Sequence, residues 1–181
     1  MQTILKKCTE IVCRKNKMID QKKRRRLLYR TFTAVFMIII FSFSAKTGKD
    51  SAGMSFKYAK SAAKLFGWLG VISVDSPEIL VLYADSIHTL IRKAAHFIEY
   101  MILGCFTYQA VACDITKLWK AVGWSQLICS SYAATDEFHQ RFVPGREGRV
   151  LDVVIDSAGA LAGIFMAAFL HRMKLRANAE K

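Results

Sequence analysis

Four long apolar runs set the pattern of this chain, and each is long enough to cross a bilayer as a helix. A hydrocarbon core of about 30 Å needs roughly 20 mostly apolar helical residues. The runs cover residues 27–45, 94–112, 118–135 and 150–170. The pattern predicts an all-α protein built as a four-transmembrane-helix bundle.

The long segment between the first two runs has a different pattern. From residue 51 to 72, apolar side chains recur at helical spacing while lysines occupy another face, as expected for an amphipathic helix. The apolar positions are Tyr58, Ala62, Leu65, Phe66, Leu69 and Ile72, and the lysines are Lys57, Lys60 and Lys64. We expect this extra helix to lie in the outer membrane interface, with Trp68 at headgroup depth. Packing against a partner protein is the alternative.

A further helix start lies at residues 75–78, Asp-Ser-Pro-Glu, where a capping side chain, a proline and an acid come together. The helix from there to residue 112 is expected to begin outside the membrane and continue into the second span. One face of it carries a polar stripe, formed by His88, Arg92, His96 and Glu99.

The third run is the least hydrophobic of the four, because it carries Ser125, Gln126, Ser130, Ser131 and Tyr132. Lipid on all sides of it is therefore unfavourable, and we expect it to pack centrally. The fourth run contains Gly159-Ala-Leu-Ala-Gly163, which matches the Gly-x-x-x-Gly pattern and is interpreted as a packing face.

Charge sets the expected orientation. The 181 residues include 27 Lys and Arg against 14 Asp and Glu, a net charge of +13. With the N-terminus inside, the basic excess falls in a leader (1–26), in the turn after the second run and in a tail (172–181), while the outer side is balanced. This asymmetry follows the positive-inside rule, so a membrane domain (27–171) with both termini cytoplasmic is predicted.

The basic leader has two interpretations, a topology signal that touches anionic lipids and a nucleic-acid-binding segment. No aromatic residues are interleaved with its charges and no nucleic-acid module is recognisable, so no nucleic-acid partner is expected. The leader is too long for a cleaved signal peptide, which favours an uncleaved anchor. The five cysteines lack metal-site or disulfide spacing and are expected to be reduced.

Charged residues converge where the runs meet the predicted outer face. Acids at the ends of membrane-length segments need a partner, a cavity or an aqueous edge, so the convergence predicts a site. The acid–base candidates are His96, Glu99, Asp136, Glu137, Asp152 and Asp156. The ligand-binding candidates are Arg92, Lys93, Tyr100, Gln140 and Arg146, and Arg141 and Arg149 complete a basic ring at the mouth.

Three interpretations of this site stay open. Interhelical ion pairs and hydrogen bonds can hold the charges within a bundle. An arginine-lined, partly dry cleft also suits a phosphate or carboxylate, which on the outer side means the headgroup of a membrane lipid or lipid-linked precursor. Third, histidine and carboxylates can act as general acid and base, or bind a divalent metal, in hydrolysis or transfer at a phosphate. The residues identify no cofactor, metal or oligomeric state. Proton-coupled transport through the polar stripe is a further possibility, but the sequence shows no internal repeat of the kind that transporters have.

The polar motifs, in their order, resemble those of a known family. Arg92-Lys93-x-x-His96-x-x-Glu99-Tyr100-x-x-Leu103-Gly104 precedes Asp136-Glu137-x-x-Gln140, and Pro144-Gly145-Arg146 precedes Asp152-x-x-x-Asp156-x-x-Gly159. These motifs are similar to the signature of VanZ-like membrane proteins over residues 30 to 170. The resemblance implies a bacterial multi-pass cell-membrane protein, similar to a factor associated with low-level teicoplanin resistance, and it defines no reaction. The expected function is engagement of an anionic lipid or cell-wall precursor headgroup.

Overall fold

The described part of the chain is helical throughout. The computed structural model describes residues 2–73 and 76–179, with side chains described for residues 16–73 and 76–177. Its helices are α1 (Gln2–Ser44), α2 (Gly48–Trp68), α3 (Pro77–Ala112), α4 (Leu118–Gln140) and α5 (Val150–Ala179). No strand occurs within these ranges, so the all-α prediction is confirmed.

Some of the sequence predictions fall outside the described residues. They concern Asp75 at the predicted helix start, the side chains of Cys8 and Cys13, the basic side chains before residue 16 and the end of the tail. The neighbouring Ser76 does cap α3, because its hydroxyl accepts a hydrogen bond from the Ile79 amide at 3.4 Å. Cys105, Cys113 and Cys129 are free thiols, as expected.

The helices run past the predicted domain boundaries. The basic leader and the first apolar run form one continuous helix, and the basic tail continues α5. Among the described residues, two helical segments are long and apolar enough to cross a membrane, Asn16–Ser44 and Val150–Ala177. Polar side chains lower the hydropathy of α3 and α4, which contain the other two predicted spans. Four spans therefore remain a prediction.

The central element is α3, which packs against all four other helices. Its contact with α5 is a backbone contact: a Cβ added at Gly159 would lie 2.3 Å from the Phe97 carbonyl oxygen, and one at Gly163 would lie 1.9 Å from that of Met101. Only glycine permits this approach, so the Gly-x-x-x-Gly segment is a packing face, as predicted.

Four of the five polar residues named for α4 are buried or half-buried, although α3 rather than α4 is the central helix. Ser125 is fully buried, whereas Ser131 is exposed. The Gln126 amide donates to the Ser157 carbonyl of α5 at 3.0 Å, and the Tyr132 hydroxyl donates to the Met37 carbonyl of α1 at 2.6 Å. These hydrogen bonds tie α4 to α5 and to α1.

The helix α2 packs against α3 through small residues rather than through its large apolar ones. Its buried positions are Gly48, Ser51, Ser55, Ala59 and Ala63. Tyr58 and Trp68 are instead 67% and 82% exposed. Small residues make this contact because they let two helix backbones approach closely. The helix ends at Trp68, short of the predicted end at Ile72, and its interfacial location remains a prediction.

Candidate functional site

The turn between α4 and α5 is held against the start of α2. The Gly48 amide donates to the Pro144 carbonyl at 2.9 Å. Gly145 has a positive φ of 73°, and a Cβ on Gly48 would lie 1.8 Å from the Gly145 carbonyl oxygen. Both glycines are therefore required here, one for its backbone conformation and one for the close approach. The turn delivers the next residue, Arg146, to the end of α1.

Arg146 joins the end of α1 to the end of α4. Its Nε donates to the Lys46 carbonyl at 2.9 Å, and one Nη donates to the Phe43 carbonyl at 3.1 Å. The other Nη donates to the Gln140 side-chain oxygen at 3.1 Å. The carbonyls at a helix C-terminus lack helical partners, and a cation is favoured beside them. Arg146 thus serves as a C-terminal cap for α1.

Gln140 connects this arginine to two buried carboxylates. Its amide nitrogen donates to Asp136 at 3.3 Å and to Glu137 at 3.1 Å. The other Glu137 oxygen accepts from the Arg149 backbone amide at 3.1 Å, just before α5 begins. These contacts form one hydrogen-bond network that spans two helices and two loops. Its seven residues are Phe43, Lys46, Asp136, Glu137, Gln140, Arg146 and Arg149.

Burial dominates the electrostatics of this network. Asp136 and Glu137 are only 2% and 5% exposed, and their burial raises the pKa of both carboxyls above the usual range. Burial, followed by the charge of Arg92, lowers the pKa of Arg146, while Asp136 and Glu137 oppose that change. Burial of this network therefore carries a desolvation penalty, and the penalty grows as more of its acids ionise.

The polar stripe of α3 faces the same region. Lys93 Nζ forms an ion pair with Asp152 of α5 at 3.0 Å. His96 Nδ1 lies 3.6 Å from a Glu99 carboxylate oxygen. Arg92 is half-buried and takes part in no ion pair or side-chain hydrogen bond with any residue that the structure describes. Arg92 is therefore a cation without a partner, whereas Lys93 and Arg146 are both engaged.

Two further polar groups are buried close to the network. Asp156 is 1% exposed, and neither of its carboxylate oxygens has a hydrogen-bond partner among the described residues. The Tyr100 hydroxyl is also buried and unpartnered in this part of the chain. A buried polar group without a partner is costly, so hydrogen bonding among the described residues does not explain the burial of these two groups.

Two cavities adjoin at this end of the bundle. The polar cleft has a volume of about 460 Å³ and lies among α3, the end of α4, the α4–α5 turn and the start of α5. The lateral groove, about 230 Å³, lies between α2 and α3 and is lined largely by Phe43, Met54, Tyr58, Ile91 and Ala95. Arg92, His96 and Arg146 line both cavities.

A protein-family model described as VanZ/LLP1 matches residues 30–171. The chain belongs to the VanZ/LLP1 family. No curated protein and no solved structure matches it. The matched residues of this VanZ/LLP1 protein include every residue of the hydrogen-bond network and of both cavities. They begin after the basic leader, which the match does not include.

The fold of this VanZ/LLP1 chain brings the predicted site residues to one end of the bundle. Seven of them line the polar cleft: Arg92, Lys93, His96, Glu137, Gln140, Arg146 and Asp152. Glu99 lines the lateral groove, and Asp136, Asp156 and Tyr100 are buried. Arg149 lines the cleft but is paired with Glu147, and Arg141 is exposed and lines neither cavity.

The lateral groove and the carbonyls that Arg146 caps were not predicted from the sequence. Backbone acceptors carry no sequence signal. The groove does have a sequence signal, because small residues recur on one face of α2 from Gly48 to Ala63.

No group of three or more His, Cys, Asp or Glu side chains within residues 16–73 and 76–177 is arranged to hold a metal ion.

Proposed function

We propose that this VanZ/LLP1 protein is a four-span protein of the bacterial cell membrane whose polar cleft binds an anionic headgroup. The ligand is a membrane lipid or a lipid-linked cell-wall precursor that carries a phosphate. The family match supports the general class. Two helices with the length and hydropathy of membrane spans are consistent with the location.

The observation that carries the proposal is the state of Arg92. The other cations of the cleft are engaged: Lys93 with Asp152, Arg146 with backbone carbonyls and Gln140, and Arg149 with Glu147. Arg92 alone among the described residues of the cleft is a half-buried arginine with all of its donors available. A guanidinium group suits a bidentate contact with phosphate, and the low-dielectric surroundings strengthen that contact.

The proposed orientation is supported by the opposite end of the bundle. Arg26 and Arg30 lie there with the rest of the basic leader, on the side where the positive-inside rule expects the cytoplasm. The cleft then opens at the outer leaflet, and both termini are cytoplasmic. A headgroup in the outer leaflet reaches the cleft without crossing the hydrocarbon core.

The test is lipid binding in nanodiscs of phosphatidylcholine that contain phosphatidylglycerol as the anionic probe. Native mass spectrometry of the released protein counts retained phosphatidylglycerol. We expect Arg92→Gln to weaken retention about tenfold, since a charged hydrogen-bonding partner is removed. Arg141→Gln is the matched control, because it removes the same charge at the same end but lies outside both cavities. Equal retention by the two variants would refute headgroup binding by the cleft.

A role in low-level teicoplanin resistance is the physiological extension of this proposal, and it rests on the family resemblance. It is tested by the teicoplanin susceptibility of a host strain that expresses the wild-type chain or Arg92→Gln. If the cleft acts in resistance, the wild type lowers susceptibility and the variant does not. Equal susceptibility of both strains separates this chain from antibiotic resistance and leaves headgroup binding untouched.

A second candidate function, hydrolysis or transfer at a phosphate, is favoured by one observation. His96 Nδ1 lies 3.6 Å from Glu99, and His96 lines both cavities, so an acid–base pair faces the place where a phosphate would bind. Release of inorganic phosphate from phosphatidic acid, lost in His96→Ala at an unchanged melting temperature, would support it. Absence of turnover by the wild-type protein with this lipid counts against it.

A further inference from the structure

The lateral groove and the polar cleft differ in character but share a wall. The cleft is lined mainly by charged residues, whereas the groove has a mixed lining. Five apolar or aromatic side chains of α1, α2 and α3 line it together with two serines, Glu99 and the three residues that it shares with the cleft. Arg92 is one of the three side chains between them. A ligand that fills both spaces must therefore carry a polar end and an apolar end, joined next to this arginine.

The construction of α2 explains why the groove exists. Ser51 and Ser55, both 6% exposed, line the groove, and their short side chains do not fill the space beside the close α2–α3 contact. Ala95 of α3 is also short and adds to that space. Met54 and Tyr58 of α2 form part of the apolar lining, and Tyr58 is largely exposed, so this part of the groove is accessible from outside the bundle.

We propose that the lateral groove holds the hydrocarbon chain of the lipid whose phosphate is bound at Arg92. This inference rests on the proposed headgroup site and adds the second half of the ligand. The occupant is one acyl chain of an anionic membrane lipid, which enters sideways between α2 and α3. Charge complementarity at Arg92 and the apolar lining of the groove both fit such an amphiphile.

The test uses phosphatidylglycerol with a diazirine near the end of one acyl chain, in phosphatidylcholine nanodiscs. Photolabelled residues are mapped by mass spectrometry. We expect labelling concentrated at Met54, Tyr58 and Ile91, and loss of this labelling in Arg92→Gln. Labelling spread evenly over exposed apolar residues such as Leu127 and Phe165, and unchanged in Arg92→Gln, would overturn the proposal.

A pair of adjacent alanines provides the matched variants. Ala95 and Ala94 are both exposed on α3, but only Ala95 lines the groove. Ala95→Trp fills the groove and is expected to abolish its labelling and to lower phosphatidylglycerol retention about tenfold. Ala94→Trp is expected to leave both unchanged.

The two proposals fail in different ways. If Arg92→Gln weakens retention while Ala95→Trp retains phosphatidylglycerol normally and the label lies outside the groove, the headgroup site stands and the acyl-chain groove is wrong. If Arg92→Gln retains as much phosphatidylglycerol as Arg141→Gln, headgroup binding fails, and the inference built on it fails too.

Discussion

At one end of the helix bundle, two arginines of α1 meet a single acid in the α3–α4 loop. Arg26 and Arg30 contact the two carboxylate oxygens of Asp114 at 3.0 and 2.9 Å. All three side chains are at least 36% exposed. Water competes for such pairs, and exposed ion pairs contribute only about 0–1 kcal/mol. The charge of Asp114 is therefore paired, and the cluster carries little desolvation cost.

At the other end the carboxylates are buried, and not all of them have hydrogen-bond partners among the described residues. Arg146 caps backbone carbonyls rather than forming an ion pair, and Asp136 and Glu137 share the single amide of Gln140. Asp156 has no partner for either oxygen among the described residues. Replacing such a cluster by apolar residues is often neutral or stabilising, so the cluster is not explained by stability.

The two ends differ in how their charges are stabilised. At the exposed end, water and a close ion pair stabilise Arg26, Arg30 and Asp114. At the other end the carboxylates are buried, and the proposed headgroup site is based on their incomplete pairing. The two arginines there also differ, because Arg146 donates to backbone carbonyls and to Gln140, whereas Arg92 has no partner among the described residues.

The largest expected effect comes from removing Arg146, which is half-buried. Arg146→Ala leaves the Lys46 carbonyl and the Gln140 side-chain oxygen without a donor, and it leaves the Phe43 carbonyl only the Lys46 backbone amide at 3.3 Å. We expect a loss of on the order of 3 kcal/mol in the free energy of unfolding. Thermal unfolding of the detergent-purified protein measures it.

The control is Arg30→Ala at the exposed end, where the pair with Asp114 is lost. That change is expected to cost less than about 1 kcal/mol, and added salt reduces it further. Equal losses for the two arginine variants would contradict the distinction between a buried cap and an exposed pair.

An intermediate effect is expected from the backbone contact that positions Arg146. Gly48→Ala places a methyl group 1.8 Å from the Gly145 oxygen, so the turn must shift, at a cost of about 1–3 kcal/mol. Gly53→Ala in the same helix has no atom within 4 Å of the new methyl and is expected to stabilise by about 0.5–1 kcal/mol. Melting temperatures that move in the same direction for both variants would argue against a required contact at Gly48.

The smallest expected effect depends on pH. Because burial raises the pKa of Asp136 in the folded protein, its contribution to stability is full below the unfolded pKa of about 4 and is lost as pH rises through the folded value. Asn does not titrate and keeps an acceptor for Gln140. The melting temperature of Asp136→Asn, relative to wild type, should therefore rise between pH 4 and pH 8, by less than the change caused by Arg146→Ala.

Asp114→Asn is the matched substitution at the exposed end, and its expected sign is opposite. It removes the attraction to Arg26 and Arg30, so near neutral pH it lowers stability by roughly 0–1 kcal/mol. If both Asn variants instead lower the melting temperature equally at pH 8, burial is not what distinguishes the two ends.

Several features of the fold were predictable because they depend on local chemistry. Apolar runs and the Ser76-Pro77-Glu78 start predict helices close to those observed, since capping and hydrophobic periodicity act over a few residues. The amphipathic pattern of α2 also predicts a helix. It does not say that small residues make the contact with α3, because periodicity separates two faces without saying which one a neighbouring helix covers.

The sequence by itself determined that this is an all-α VanZ/LLP1 chain, and it predicted that the polar motifs gather at one end. Two of the motifs lie where α4 ends and α5 begins, on either side of one short turn, whereas the motif of α3 lies within its helix. Only the tertiary structure distinguished Arg92 from Arg146, which look alike in a linear pattern. Their difference arises from backbone carbonyls and a loop contact far apart in sequence, since a guanidinium group is free or engaged according to the acceptors that folding brings within reach. The groove between α2 and α3 has the same origin, in small side chains that become a cavity only when two helices pack together.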